Sequence, residues 1–211
     1  HLTRLMHRRW PEANVHAIDF APGMIRQAQQ LDNVGGRVTW MVADAATYHG
    51  ELPYDLVMSN CALHWLYPFR AGMQNLLGQL SATGRLVMTI MLDGTLSELH
   101  AARLRAAPLK PPAGRLPAFD EVLDVLRESG LTIGYASEEI HHAHLPQAED
   151  VLRMVHELGL SGGHVSRSHT PLHRGELAAL VRDYDFNFRA ADGSVPVTYH
   201  VGFFVARRGP S

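Results

Sequence analysis

Residues 54–65, with the sequence YDLVMSNCALHW, decide the fold. The apolar run Leu56-Val57-Met58 has the length and composition of a buried strand. The small polar pair Ser59-Asn60 suits a turn where that strand ends. His64-Trp65 follows just past the carboxyl end, which is the edge of an open parallel sheet where ligands bind. We therefore expect a functional site beside this stretch.

Strands and helices alternate along the chain on both sides of this stretch. We predict strands at residues 15–19, 38–42, 56–58, 85–90, 131–144 and 195–207, and helices at 2–10, from Pro22, and at 69–80, 95–107, 119–129, 147–158 and 174–184. This alternation is typical of βαβ units and a mostly parallel sheet, so the predicted class is a Rossmann-like α/β fold. We expect a single domain over 1–211, with a cofactor-binding half at 1–92, an acceptor half at 93–211 and a helical insert at about 146–187.

The composition of the chain narrows the classes of protein to which it can belong. The 211 residues are 46% hydrophobic and 19% charged, which suits one globular domain with a substantial core. The absence of eighteen consecutive apolar residues predicts no membrane span, and the amphipathic start differs from a signal peptide. A single cysteine, Cys61, excludes an internal disulfide and favours a reducing, cytoplasmic location. The net charge of -2 gives no general attraction to nucleic acid.

Two acids stand at the ends of predicted neighbouring strands. Asp19 ends the strand before the helix at Pro22, where a carboxylate can accept both hydroxyls of a ribose. Asp44 follows the next strand, where it could accept the exocyclic amine of an adenine. Together they indicate a slot for adenosine, although acids in such places are also common turn and cap residues. The spacing alone leaves both interpretations open.

Four segments carry a family resemblance: Asp19-Phe20-Ala21-Pro22-Gly23-Met24-Ile25, Val42-Ala43-Asp44-Ala45, residues 54–60, and Gly84-Arg85-Leu86-Val87. These segments resemble the motifs of the class I S-adenosylmethionine-dependent methyltransferases. They occur in the same order as those motifs and at nearly the same spacing. The resemblance implies S-adenosylmethionine as cofactor and S-adenosylhomocysteine as product. It implies that Asp19 binds the ribose, that Phe20 and Met24 flank the adenine, and that Asp44 and Ala45 contact the adenine edge. Asn60, Cys61 and Ala62 would line the methionine end.

The sequence departs from that family in two places. Ala21 stands where the family usually has a serine, so a helix cap worth about 1 kcal/mol is lost. No glycine occurs before Gly23, although the family's glycine-rich turn should precede the first helix of the fold. We infer that a strand and its glycine loop are missing from this sequence. We therefore expect residues 1–211 alone to bind cofactor weakly, because the methionine carboxylate lacks backbone donors.

A closer resemblance covers nearly the whole chain. Leu63-His64-Trp65, Gly94-Thr95-Leu96-Ser97-Glu98-Leu99-His100, Arg115-Leu116-Pro117, Pro196-Val197-Thr198-Tyr199-His200 and the helical insert are similar to the malonyl-acyl-carrier-protein O-methyltransferases of biotin synthesis. The resemblance implies methylation of the free carboxylate of a malonyl thioester. It implies an acceptor pocket made by His64, Trp65, Tyr199 and His200. The structural alternative is that Trp65 is core and that Tyr199 and His200 are alternating faces of a strand.

The stretch from Leu99 to Phe119 contains no acid but four bases, Arg103, Arg105, Lys110 and Arg115. Acyl-carrier proteins are strongly acidic, so such a basic surface would steer docking. Arg153, Arg167 and Arg174 could extend it. The alternative is an ordinary solvated helix and loop.

Other functions remain open at this stage. His141, His142 and His144 could suggest a metal site, but no third ligand is evident and we predict no metal. Cys61 has no evident base, so a nucleophilic role is not expected. We expect a monomer that binds no nucleic acid or membrane. The alternatives are a methyltransferase of a small free carboxylic acid, a relative of the respiratory complex I assembly factor, which Leu63-His64-Trp65 and Asp192-Gly193-Ser194-Val195-Pro196 also resemble, and a binding-only remnant of the fold.

Overall fold

A computed structural model describes residues 1–31, 37–51, 53–111, 114–157 and 171–209. The chain forms two compact units. Unit 1 comprises His1–Met88, Val125–Gly134 and Val205–Ser211, and unit 2 comprises Thr89–Asp124 and Tyr135–Phe204.

Helices and strands alternate as predicted. In chain order they are α1 Leu2–Arg9, β1 Val15–Asp19, α2 Pro22–Gln30, β2 Val38–Val42, β3 Tyr54–Asn60, a 3₁₀ turn Leu63–Trp65, α3 Phe69–Gly78, β4 Leu80–Met91, α4 Ser97–Ala106, α5 Phe119–Glu128, β5 Leu131–Leu145, α6 Ala148–Glu157, α7 Arg174–Phe188 and β6 Val195–Arg208. The predicted Rossmann-like α/β class is confirmed. None of the helices in the described ranges has the length and apolar character to cross a membrane.

The strands form two sheets. β1 and β2 pair in parallel, with Val15 opposite Val38 and Asp19 opposite Val42. The other sheet has the order β3-β4-β6-β5, so the last strand of the chain is inserted between β4 and β5. Both the parallel pair and this non-consecutive order require crossover connections, which the intervening helices provide.

Helix α2 begins as the sequence predicts. Pro22 occupies the first turn, where its missing N–H is not needed. The N-cap residue Ala21 makes no side-chain cap, as its identity requires, and its own N–H donates to Asp19 Oδ1 at 2.8 Å. Ile25 is buried while Met24 is 54% exposed. The first turn of α2 is therefore tied to the end of β1 by the Asp19 carboxylate.

Strand β4 begins earlier than predicted. We expected Gly84 to turn the chain into a strand at 85–90, but the strand runs from Leu80 through Gly84. A Cβ at Gly84 would lie 2.9 Å from Tyr54 O and from Ser81 N. Glycine is required here by the close approach of neighbouring backbone, a role that a sequence cannot distinguish from that of a turn.

Unit 2 has its own core. Ala102 from α4, Val151 from α6, Leu180 from α7 and Val197 from β6 are buried together. Tyr184 of α7 is 1% exposed, and its hydroxyl donates to Pro196 O at 2.6 Å, which satisfies the one polar atom that it buries. This core fixes α4 and α7 against the strand that carries Thr198-Tyr199-His200.

Candidate functional site

Asp19 and Asp44 lie at the same edge of the parallel β1–β2 pair. Asp19 is the last residue of β1, and Ala43 N donates to Asp19 O at 3.0 Å as the chain leaves β2. Asp19 Oδ1 accepts from Ala21 N and Asp44 Oδ1 accepts from Ala46 N, each at 2.8 Å. Each carboxylate thus uses one oxygen to hold a local turn and keeps the other oxygen for a further partner. This geometry is compatible with both interpretations of these acids, as turn residues and as ligand-binding residues.

Apolar surface adjoins the first acid. Phe20 is 70% exposed and Met24 is 54% exposed, although both are large apolar side chains on the chain that leads from β1 into α2. A flat heteroaromatic ring would bury such side chains. Ala45, in the turn after β2, is partly buried. The carboxylate acceptors and the apolar surface fit the adenosine part of S-adenosylmethionine.

The chain turns sharply after β3. Cys61 has a φ of 48°, which is uncommon for a residue with a side chain, and the 3₁₀ turn Leu63–Trp65 follows at once. His64 is 5% exposed, and its ring lies 4.9 Å from that of Trp65. Asn60 is exposed and Ala62 is the N-cap of the turn. The turn begins directly after Asn60, the last residue of β3, and strained backbone of this kind is concentrated at functional sites.

Tyr199 and His200 belong to unit 2. Burial raises the pKa of the Tyr199 phenol, and its hydroxyl points to Met154 Sδ at 3.2 Å. His200 Nδ1 lies 2.7 Å from Asp93 O, and His200 Nε2 lies 2.9 Å from a Glu138 carboxylate oxygen. Both nitrogens of the His200 ring are therefore engaged within unit 2.

Each of the four predicted docking bases has a partner within the chain, and for Arg105 and Lys110 that partner is distant in sequence. The Arg105 guanidinium donates to the Asp183 carboxylate through both Nε and Nη2, and the distance from Nη2 to Oδ1 is 2.7 Å. This hydrogen bonding to Asp183 raises the pKa of Arg105. Lys110 Nζ lies 2.7 Å from Glu176 Oε2, and Arg115 lies 3.0 Å from Glu121. Arg103 Nε donates to Lys110 O at 3.3 Å. Much of the positive charge in this stretch is compensated.

The extension of that surface is described only in part. Arg153 lies 2.9 Å from Asp150 on α6, and Arg174 is the first residue of α7. Arg167 lies outside the described residues.

Within the described ranges, no group of three or more His, Cys, Asp or Glu side chains is placed to hold a metal ion. His141 lies 3.0 Å from Glu139, whereas His142 Nδ1 lies 3.1 Å from Thr198 Oγ1. The two neighbouring histidines thus face different partners.

Sequence reasoning missed Glu98. It stands in the first turn of α4, where an acid is expected simply to complement the helix dipole. In the structure Glu98 is 8% exposed and accepts from Thr198 N at 3.2 Å and from the Thr198 hydroxyl. The available signal was its place in the segment Gly94–His100, one of the segments that carried the closer resemblance.

The chain resembles known methyltransferases in sequence and in fold. The sequence profile described as "Methyltransferase domain" matches residues 1–84. A malonyl-[acyl-carrier protein] O-methyltransferase of Anoxybacillus flavithermus is 35% identical over 103 residues, or 48% of this chain and 39% of that protein. The one from Geobacter sulfurreducens is 29% identical over 208 residues, covering 95% of this chain and 77% of that protein. A trans-aconitate 2-methyltransferase of Streptomyces avermitilis is 38% identical over 68 residues, 31% of this chain and 25% of that protein.

These relatives confirm the resemblance noted in the sequence, although the chain spans 39% of the length of the Anoxybacillus protein. Among solved structures, a methyltransferase-fold protein of Bacillus halodurans superposes with a TM-score of 0.62 at 13% identity, covering 93% of this chain and 83% of that one. At this identity the likeness is one of fold. Residues 1–84 therefore carry the sequence of a methyltransferase domain, and the chain has the Rossmann-like fold of the class I methyltransferases.

Proposed function

We propose that the protein is an S-adenosylmethionine-dependent O-methyltransferase that converts the free carboxylate of malonyl-acyl-carrier protein to its methyl ester, an early step of biotin synthesis. The observation that carries the proposal is the pair of carboxylates at one edge of β1–β2, inside the residues that match the methyltransferase profile. The relatives named for this activity supply the acceptor.

The chain's residues would act by placing the reactants. S-adenosylmethionine supplies an electrophilic methyl group on a sulfonium. Asp19 would bind the ribose and Asp44 the adenine amine, each through the oxygen not used in its turn. The exposed side chains of Phe20 and Met24 would flank the base. These contacts bind and orient the donor, which lowers the barrier by making the encounter effectively unimolecular.

The acceptor needs no general base, because a carboxylate is already ionised at neutral pH. This requirement agrees with the state of His200, whose two nitrogens are engaged by Asp93 and Glu138. Acceptor roles for His64 and Trp65 in unit 1, and for Tyr199 and His200 in unit 2, remain predictions. Their contribution would be to shape the site and exclude water.

A second candidate is methylation of a small free carboxylic acid. One observation favours it: three of the four bases predicted to attract a carrier protein lie beside carboxylates of this same chain. The match to a trans-aconitate 2-methyltransferase points the same way. The two candidates share the cofactor and differ only in the acceptor.

Mass spectrometry of malonyl-acyl-carrier protein, incubated with S-adenosylmethionine and the full-length gene product, tests the proposal. We expect a gain of one methyl group that Asp19→Ala abolishes. Asp55→Ala is the matched control, because Asp55 is an exposed strand aspartate that accepts from Ser81 at 3.0 Å. Methylation of small carboxylic acids alone would favour the second candidate. Cofactor binding without methylation of either acceptor would favour the assembly-factor relative or the binding-only remnant, and the absence of cofactor binding would overturn the proposal.

A further inference from the structure

Residues 92–98 and 198–200, here called the α4–β6 clamp, are joined by a dense set of hydrogen bonds. Leu92 N donates to His200 O and Leu96 N donates to Thr198 O, both at 2.8 Å. Thr95 Oγ1 donates to His200 O at 3.1 Å and accepts from His200 N at 3.0 Å. The residues that lead into α4 are thus fixed to Thr198 and His200 of β6.

Glu98 is the buried carboxylate of the α4–β6 clamp. Its carboxylate accepts from both the backbone N–H and the hydroxyl of Thr198. Because the Thr198 hydroxyl donates to Glu98, its oxygen is left to accept from His142 Nδ1, 3.1 Å away. A polar chain therefore runs from exposed His142 through Thr198 to a carboxylate that is 8% exposed.

Backbone strain marks the same junction. Leu96 has a φ of 56° and a ψ of 32°, a left-handed conformation that costs a residue with a side chain about 1–2 kcal/mol. Gly94 has a φ of 102°, and a Cβ there would lie 3.2 Å from His200 Nδ1. Such strain persists only where the surrounding contacts over-determine the backbone, and it is concentrated at functional sites.

We propose that Glu98 is a positioning residue, which holds Thr198-Tyr199-His200 of β6 in place for the acceptor. This inference rests on the proposed methyltransferase function. It names a residue that affects binding of the methyl acceptor and not of the cofactor. Glu98 acts through β6, because its two carboxylate oxygens are already engaged by Thr198. The two residues that follow Thr198, Tyr199 and His200, are among those predicted to line the pocket for the methyl acceptor.

Two substitutions of Glu98 separate positioning from space filling. In Glu98→Gln, the amide oxygen can accept from Thr198 N while the amide NH₂ donates to Thr198 Oγ1, whose proton then turns to His142. In Glu98→Leu, the side chain has a similar size but both bonds are lost. A side chain that only fills a buried space would tolerate leucine better than glutamine. If Glu98 is a positioning residue, the protein tolerates glutamine at this position better than leucine.

The first measurement is amide hydrogen exchange of the β6 segment containing Thr198, in the full-length gene product. We expect Glu98→Leu to speed this exchange about tenfold or more, and Glu98→Gln to change it little. Glu157→Gln and Glu157→Leu are the controls, since Glu157 is an exposed glutamate at the end of α6. Equal exchange in the two Glu98 variants would overturn the proposal.

The second measurement is kinetic. We expect kcat/KM for the carboxylate acceptor to fall about tenfold or more in Glu98→Leu, with the Kd for S-adenosylhomocysteine changed less than about twofold. Should Glu98→Leu fail to fold, Thr198→Val replaces it with the same expected order, and Thr198→Ser should restore wild-type behaviour. A loss of cofactor binding equal to the loss of acceptor turnover would overturn the positioning role.

Failure of the proposed function gives a different pattern. A wild-type protein that methylates no carboxylate, yet shows the expected exchange order, would defeat the acceptor role while leaving a purely structural α4–β6 clamp. A wild-type protein that methylates normally, with Glu98→Leu unaffected, would overturn the inference alone.

Discussion

His100 is a titratable side chain held against the interior of unit 2. Desolvation by burial lowers its pKa below the ordinary value of 6.5, nearby Arg103 lowers it further, and Asp93 opposes the shift. Since the folded state prefers the neutral ring, the unfolded chain binds more protons just below pH 6.5. Stability from this group is therefore present above that pH and is lost as the pH falls toward the folded pKa.

His100→Gln should remove this acid sensitivity. Thermal unfolding between about pH 7 and pH 5 should show a smaller drop in Tm for the variant than for the wild type, by about 2 °C or more. His156→Gln, an exposed change on α6, should keep the wild-type pH slope. Identical slopes for all three proteins would show that burial of His100 does not couple its protonation to folding.

At the residue scale, sequence reasoning found Asp19 and Asp44 because strand ends are visible in a sequence. It left two interpretations open, turn residue and ligand-binding residue, and the structure is compatible with both. One oxygen of each carboxylate holds a turn, and the binding of cofactor by the other oxygen stays a prediction. That division depends on turn geometry, which a sequence does not contain. Glu98 was missed for a related reason, because its burial is created by β6, one hundred residues away.

Leu180 is one of the two buried side chains through which helix α7 packs into unit 2. Leu180 is 2% exposed and packs in the core with Ala102 and Val151, whereas Leu177 on the same helix is 39% exposed. Leu180→Ala should lower the free energy of unfolding by about 2–5 kcal/mol, because it removes apolar contacts and leaves a cavity. The expected fall in Tm is about 5–15 °C.

Leu177→Ala provides the matched comparison by thermal or denaturant unfolding. It makes the same change at an exposed position and should cost less than about 1 kcal/mol. If the two variants were equally destabilised, α7 would not be docked through the face that carries Leu180.

At the element scale, hydrophobic periodicity and the positions of proline and glycine predicted the strands and α-helices of the described residues to within a few residues, apart from the early start of β4. α7 also runs past the predicted end at 184 to Phe188. Its start at Arg174 was predicted, but its cap was not: His173 Nδ1 accepts from Gly175 N and Glu176 N, while Glu176 Oε2 accepts from His173 N. Histidine is an unusual N-cap, so residue type alone does not indicate this one.

At the scale of the whole chain, the fold could be predicted because its motifs are local and ordered. The charge of the predicted docking surface could not be predicted in the same way. Arg105 and Asp183 are 78 residues apart, and Lys110 and Glu176 are 66 residues apart, so a window without acids looked basic when its carboxylates lay elsewhere in the sequence. Charge that is compensated within a unit steers an acidic partner weakly.

Arg105 allows the docking proposal to be tested against the structural role of its ion pair. Arg105→Glu places a second carboxylate beside Asp183 and should weaken the contact between α4 and α7, by about 1 kcal/mol for a partly exposed pair. We therefore expect it to lower kcat/KM for malonyl-acyl-carrier protein and for a small malonyl thioester by similar factors. The exchange variant Arg105→Glu/Asp183→Arg restores the pair with its polarity reversed and should recover both substrates. A loss confined to the carrier-bound substrate, persisting in the exchange variant, would instead place Arg105 in the docking surface.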